Sequence, residues 1–532
     1  MLSAVIMLGI GHMSAFVPKT WVDLTRRMAQ APGDSASRRT FYVDARKGKD
    51  SNTGLSPKNA WQSIARANLA RFLPGDRLLF AGGQTYNGTL RLTAASGGTA
   101  ARPVLISFYG NRHPTIYGGA GNGLELINCA FVTLKGLAFT GCGRKNGSDG
   151  AGISVVRTQN VVIDHVEVSG YREAGITTGG DRNTRITYAY AHDNGYAGIT
   201  TDAGFGALPR TKNLTIAYCR ADNNPGDPKN LTNHSGNGIV VGGVDGGLIE
   251  YCEASNNGWD MPRDGNGPVG IWGWNCDRLT IQHCISHDNK SPGTDGGGFD
   301  FDGGVTNSNL QYNLSYHNMG CGYLLCQYAG APTWRNNTMR YNISIDDGVK
   351  NFHSGIGLWI GGGDFSDAQI YNNTIINPRH AVSTLGDVPG FIYRNNIFVS
   401  GDHVIDATLG GGYGKSRFEN NAYWSPMSAM LYRDEKVEYA TMEEWAKATH
   451  QETIAGTRSG IWADPRLALP NEKFILPIDP LRLQSMRYYR LRRGSPCIGA
   501  GSPIPNNGGR DIFGHPVNAD QQPALGASER GR

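Results

Sequence analysis

The chain has 532 residues, 74 of them glycine, with 18% charged, 39% hydrophobic and a net charge of +5. That balance describes thin strands joined by many tight turns and leaves little sequence for long helices. Lys and Arg are scattered with no basic run interleaved with aromatics, which argues against nucleic acid, and no stretch reaches the roughly 18 to 20 apolar residues of a membrane span.

Residues 1–39 read as a leader or a disordered N-terminus. Positions 1–16 are apolar but lack a positive start and are broken at Gly11-His12. A leader ending near Ala29-Gln30-Ala31 would make the protein secreted or periplasmic, with a signal of atypical form. Residues 40–104 read as an N-terminal cap with the first strands. Ser56-Pro57 opens a helix there, with Trp61, Ile64 and Leu69 on one face and Pro74-Gly75-Asp76 at its end.

From 105 to 426 the chain repeats. A glycine followed by Ile, Phe or Tyr marks a strand start at Gly152, Gly175, Gly198, Gly238, Gly270, Gly298, Gly322 and Gly355. The shortest interval, Gly152 to Gly175, fits one coil of three short strands and three turns. A second mark pairs Ala189, Cys219, Cys252, Cys284, Asn313 and Asn342 with Asn194, Asn224, Asn257, Asn289, Asn318 and Asp347, each five positions on. Stacked coils about 4.8 Å apart turn these into two buried ladders, with Cys as a small hydrophobe. The nine cysteines therefore need no disulfide or zinc site, and none has the spacing for one. His192, His287 and His317, beside Asp193, Asp288 and Asp346, recur at a turn position and read as structural. Residues 427–532 lose the repeat and read as a loop-rich C-terminal cap, with a capping box from Thr441 to Glu444 opening a short helix.

The opening YVDARKGKDSNTGLSPKNAWQSI, the repeated Gly-Ile strands with Asn-rich turns, and the closing SPCIGAG and GASE resemble the right-handed parallel β-helix proteins of the pectate-lyase-like superfamily. The resemblance runs from residue 40 to about 525. It implies an all-β right-handed parallel β-helix that acts on carbohydrate. Members include lyases, glycoside hydrolases, epimerases and tailspikes, so activity has to come from the site.

Successive strand residues face opposite ways. With the residue after each marker glycine turned inward, the outward pairs are Thr200 and Asp202, Val240 and Gly242, Trp272 and Trp274, Asp300 and Asp302, Leu324 and Cys326, and Gly357 and Trp359. Acids and indoles thus collect on neighbouring rungs, where Trp272, Trp274 and Trp359 would make a platform for sugar rings. Long loops flank these rungs and contribute His234, Arg263, Asp264, Asp295 and His353 as candidate substrate contacts. Insertions at 204–210 and 327–335 would form the opposite wall.

Asp300 and Asp302 lie two residues apart on one strand, so their Cα atoms are roughly 6.6 Å apart. This fits a carboxylate pair for glycosidic hydrolysis, inverting or retaining, with Asp302 taken as acid and Asp300 as base. Asp202, three rungs away, is a third candidate. No metal ligand set is read and no cofactor is expected, with calcium left open. The expected partner is an oligosaccharide or polysaccharide acted on by a monomer, without nucleic acid or membrane. Of the elements of polygalacturonases, Gly-His-Gly is absent. A lyase or C5-epimerase is the alternative, with His234 or His353 as base, Arg263, Arg335 or Lys350 as clamp, and Asn377-Pro378-Arg379-His380 as a partial echo of an epimerase motif. A non-catalytic carbohydrate-binding solenoid is the third reading.

Overall fold

In the computed structural model, which describes residues 38–529 apart from 203–207, 409–413, 428–429 and 471–474, the Gly-Ile pattern forms a right-handed parallel β-helix. Each coil gives one strand to each of three 14-stranded sheets. The coil already begins inside the predicted cap, where Thr40–Val43 pairs in parallel with Arg77–Ala81. The predicted leader, up to residue 37, lies outside the described residues.

The core follows from the register. Ile199, Ile239, Ile271, Phe299, Tyr323 and Ile356 stack into one apolar column, and Phe301 joins them between the two aspartates. Phe299 and Tyr323 stack with centroids 5.2 Å apart, close to the strand spacing.

The two ladders form as expected. Asn194, Asn224, Asn257, Asn289 and Asn318 each donate Nδ2 to the carbonyl or carboxylate oxygen of the residue on the next rung, over 2.8 to 3.1 Å, and the run ends on Asp347. The second ladder starts as cysteines, with Cys219 and Cys252 N–H groups reaching the next sulfur at 3.4 Å. It continues through Asn313, Asn342, Asn373, Asn396 and Asn421 to Glu452. Each ladder therefore ends on an acid. Every asparagine both accepts and donates along the axis, whereas the last position only has to accept, which a carboxylate does.

Two expectations are corrected at the ends. Ser56 caps only a short 3-10 turn, Pro57–Asn59; the chain then extends through Trp61, which bridges to Val43, before a separate helix, Ile64–Asn68, capped by Ser63. Trp61 and Ile64 are buried, but Leu69 is 80% exposed because the helix is one turn long and ends before it. At the far end, the capping box of Thr441 and Glu444 forms, and the helix Met442–Thr449 sets Trp445 against Phe418, Tyr423 and Tyr432. Residues 451–462 also cover that end, with Glu452 taking the last ladder amide and Ile461–Trp462 pairing in parallel with Ala422–Trp424, whereas the later residues do not. They run back along the flank, with Tyr316 donating to Pro477, Arg340 to Asn506, Asn395 to Ser502 and Asn372 to Ala524. Apolar side chains such as Leu483, Ile512 and Phe513 make this return favourable by covering Tyr312 and Tyr341.

His192 and His287 face away from the site and are held by acids of their own turns and neighbouring rungs, Asp193 and Glu167 for the first, Asp288 and Glu253 for the second.

Candidate active site

The strands Val269–Trp274, Gly297–Phe301, Tyr323–Tyr328, Ser354–Gly361 and His380–Leu385 lie side by side in one sheet. Their outward residues floor a cavity of about 1030 Å³ that Trp274, Asp300, Asp302, Leu324, Cys326 and Trp359 all line. One wall comes from the segments that enter these strands: Asn233-His234, Gly265–Gly267, Thr294-Asp295 and Lys350–His353. These segments are fastened to one another. Asp295 accepts from Gly267 N–H at 2.9 Å, Asn351 donates to the carbonyls of Gly293 and Asp295, and the Lys350 ammonium donates to the carbonyls of Ser291, Pro292 and Gly293. Tyr328 supplies part of the opposite wall; residues 203–207 of the other expected insertion lie outside the described residues.

Three carboxyl groups share this space. Asp300 is 3% exposed and its Oδ1 has no hydrogen-bond partner. Burial pushes its carboxyl well above the ordinary range, and the nearby Asp302 and Asp295 push it further. Asp302 is half-buried. Burial raises it too, while the Cys326 thiol and the Gly303 N–H, at 2.7 Å, favour its ionised form. Asp295 is raised to about 7, again mainly by burial, against the pull of the Gly267 N–H.

His234 is set by a chain of forced hydrogen bonds. An indole nitrogen can only donate, so Trp272 Nε1, 3.0 Å from Asn237 Oδ1, fixes that amide's orientation. Asn237 Nδ2 then donates to Tyr196 O and to His234 Nδ1 at 3.0 Å. The proton of the neutral ring therefore sits on Nε2. Burial and the nearby Arg263 cation lower its pKa to about 4, so at neutral pH His234 is an uncharged donor. His353 is oriented oppositely: its Nδ1 lies 3.2 Å from Gly348 O and must donate, leaving Nε2 to accept.

The indoles divide. Trp272 is only 4% exposed and packs edge-on against His234, so it is a support for the histidine rather than an open platform. Trp274 and Trp359 are half-buried and each lies over a glycine, Gly242 and Gly361, where an added Cβ would fall 2.3 and 2.2 Å from the ring. They sit among two apolar clusters on either side of the acid pair, one with Val240 and Trp272, the other with Leu324, Cys326 and Phe352.

Other candidates move away. Asp264 and Arg263 do not line the cavity; Arg263 instead holds Asn266 across its own turn, at 2.7 Å. Arg335 opens on a separate depression with Asp364 and Asp367. Asp202 ends its strand opposite Gly242, three rungs from Asp302, and its side chain lies outside those described. Among the described residues no group of three or more His, Cys, Asp or Glu side chains is arranged to hold a metal ion.

Apart from Arg379 and His380, which sequence offered only as part of an epimerase echo, the far end of the cavity was missed. Arg379, His380, Ser383, Thr384, Asp406 and Arg433 line it. The signal was present: Asp300, Leu324, Gly357, Ser383, Asp406 and Arg433 are successive members of one outward column. The glycine that marks earlier strands is replaced by Ala381 on this rung, which broke the count.

A family model described as the right handed beta helix region matches residues 107–227 and 229–423. The chain is similar to a lacto-N-biosidase of Bifidobacterium longum subsp. longum, 23% identical over 510 residues, covering 73% of this chain and 31% of that protein. It is also similar to alpha-1,3-galactosidase A of Akkermansia muciniphila, 33% identical over 94 residues, covering 18% of this chain and 15% of that one. The chain thus spans about a third or less of the curated relatives it matches. Among solved structures, a GH136 lacto-N-biosidase of Eubacterium ramulus aligns at 16% identity with a TM-score of 0.49, over 74% of this chain and 67% of that one. A pectate lyase aligns at 15% with a TM-score of 0.40, over 93% and 97%.

Proposed function

As the chain belongs to the right-handed β-helix family, in which the fold does not choose the reaction, we propose from its site that it is a glycoside hydrolase acting on an oligosaccharide or polysaccharide. The observation that carries this is the carboxyl pair at the end of one strand, Asp300 and Asp302, in the floor of a cavity where Asp300 is buried with Oδ1 unpartnered and Asp302 accepts from Gly303 N–H. The more deeply buried Asp300, with an unpartnered oxygen, holds its proton and serves as the general acid. Asp302, stabilised as an anion by Cys326 and Gly303, serves as base or nucleophile, the reverse of the order expected from sequence. Asp300 protonates the glycosidic oxygen as the C–O bond breaks. Asp302 either takes a proton from the water that attacks the anomeric carbon or attacks that carbon itself. His234 Nε2–H and the half-buried faces of Trp274 and Trp359 are the proposed sugar contacts, with Asp295 and His353 in the wall. The names of the two curated relatives, both glycosidases, support the same class.

Elimination from a uronate needs a cation to neutralise the sugar's carboxylate next to the base. The ammonium nearest in the wall, Lys350, is occupied by three backbone carbonyls. The guanidinium of Arg379 is three rungs from Asp300, roughly 14 Å along the axis. A polymeric substrate fits action outside the cytoplasm, and we assign the protein there.

The test is a panel of oligosaccharides with two readouts, new reducing ends and the ultraviolet absorbance of unsaturated uronate. Reducing ends without absorbance are expected, and Asp300→Asn should lower kcat by about 10²- to 10⁴-fold, the usual share of a general acid. Absorbance rising in step with reducing ends would establish a lyase instead.

A further inference from the structure

The two ends of the cavity differ in charge. Around the bond-breaking pair there are three carboxyls, Asp295, Asp300 and Asp302, and, among the described residues, no uncommitted Lys or Arg lines the cavity there. At the other end two guanidiniums, Arg379 and Arg433, line the same cavity. Only one of them is neutralised. Arg433 Nη2 donates to Asp406 Oδ2 at 2.6 Å, and the other oxygen of Asp406 accepts from the N–H and hydroxyl of Thr408 at 3.0 and 2.7 Å. His380 Nε2 also lies 3.1 Å from Asp406 Oδ2, so this carboxylate is already shared. Arg379 forms no ion pair or side-chain hydrogen bond among the described residues and is exposed.

Arg379 is also held in place by its backbone. Its N–H donates to Asn377 Oδ1 at 2.8 Å, and its carbonyl accepts from Asp402 N–H at 3.1 Å. Asn377 is itself buried and donates to Asp347 O at 2.6 Å. An arginine on so fixed a turn loses less freedom when it grips a ligand than one on a loose loop, and its planar fork suits carboxylate and sulfate oxygens. Ser383 and Thr384 add hydroxyls beside it.

Resting on the reading that this cavity binds carbohydrate, we propose that its far end is a subsite for an anionic substituent of the substrate, a carboxylate or a sulfate ester, gripped by Arg379. The ring held over Asp300 and Asp302 is uncharged. The rungs from Asp300 to those of Arg379 and Arg433 are three and five steps on, so the anionic group lies roughly 14 to 24 Å from the bond cleaved. An acidic ring at the cleavage point would be repelled by the Asp302 carboxylate, whereas an acidic ring at the far end meets an uncompensated guanidinium.

Calorimetric titration of the full-length Asp302→Asn protein tests this without depending on turnover. Three probes of equal length are used: a neutral galacto-oligosaccharide, an oligogalacturonide and a sulfated galactan oligosaccharide. One of the two anionic probes should bind about tenfold more tightly than the neutral one, and which of them does so separates carboxylate from sulfate. Arg379→Ala should abolish that tenfold preference while leaving the neutral probe unchanged, and Arg379→Lys should restore part of it. The preference should shrink as salt rises. Equal affinity for all three, no binding of either anionic probe, or an equal loss for neutral and anionic probes in Arg379→Ala would overturn the proposal. Charge preference in a protein whose wild type releases no reducing ends would refute the hydrolase and keep the subsite; cleavage of neutral sugar without charge preference would do the reverse.

Discussion

Replacing Asp295 by Asn should stabilise the protein and at the same time change the pH range over which it works. The Asp295 carboxyl is raised from 3.8 to about 7 by burial against the loops of the cavity wall. In the unfolded chain it ionises near 3.8, so folding at neutral pH takes up a proton or buries an unfavourable charge. The penalty is absent below pH 3.8, grows as pH rises, and is complete above about 7. At about 1.36 kcal/mol per pKa unit the upper limit is about 4 kcal/mol, and partial exposure of the side chain reduces this to roughly 2. Asn keeps an oxygen for the Gly267 N–H, now 2.9 Å from the carboxylate. Urea unfolding should therefore show Asp295→Asn more stable than wild type by about 2 kcal/mol at pH 8 and equal to it near pH 3.5. Asp295 also raises Asp300, behind burial and Asp302. Its removal should shift the alkaline limb of kcat/KM toward lower pH, because Asp300 gives up its proton earlier. A variant that is less stable at every pH, with an unmoved alkaline limb, would refute the idea that these carboxyls share one electrostatic environment.

Two further outcomes concern the coil. Asn289→Ala removes an amide that accepts from Asn257 and donates to Ser286 and Asn318 inside the ladder; the orphaned partners should cost roughly 3 to 5 kcal/mol, seen as a lower urea midpoint at unchanged slope. His287 is pushed up to about 9: burial opposes its charge, but Asp288 and Glu253 outweigh it. A raised histidine stabilises fully below its unfolded value near 6.5 and loses that contribution as pH rises through about 9. Wild-type stability should therefore decline between pH 6.5 and 9, and His287→Gln should flatten part of that decline.

Much of the fold was legible because a stacked coil repeats its constraints. Each marker glycine sits where an added Cβ would strike a neighbouring strand, as at Gly270, 1.9 Å from Ser286 Oγ. Each ladder asparagine has to satisfy backbone inside the turn. The acid pair was legible for the same reason, since period-two alternation around Phe299 and Phe301 turns Asp300 and Asp302 outward. What pattern alone could not provide was how far loops would cover the strand. Trp272 faces outward in register, yet Asn237 and His234 close over it. Lys350 has the chemistry of a clamp and is committed to carbonyls that come from a loop 57 to 59 positions earlier in the chain. The flank-covering return of the C-terminal segment depends on contacts more than 100 residues apart, such as Asn395 with Ser502, for which no local periodicity exists.

The most direct measurement is a crystal structure of Asp302→Asn soaked with an oligosaccharide that the wild type cleaves. The account predicts the glycosidic oxygen within hydrogen-bond distance of Asp300, the anomeric carbon facing residue 302, and sugar rings against Trp274 and Trp359. A sugar chain bound elsewhere on the coil, with the floor between Trp274 and Trp359 empty, would contradict it.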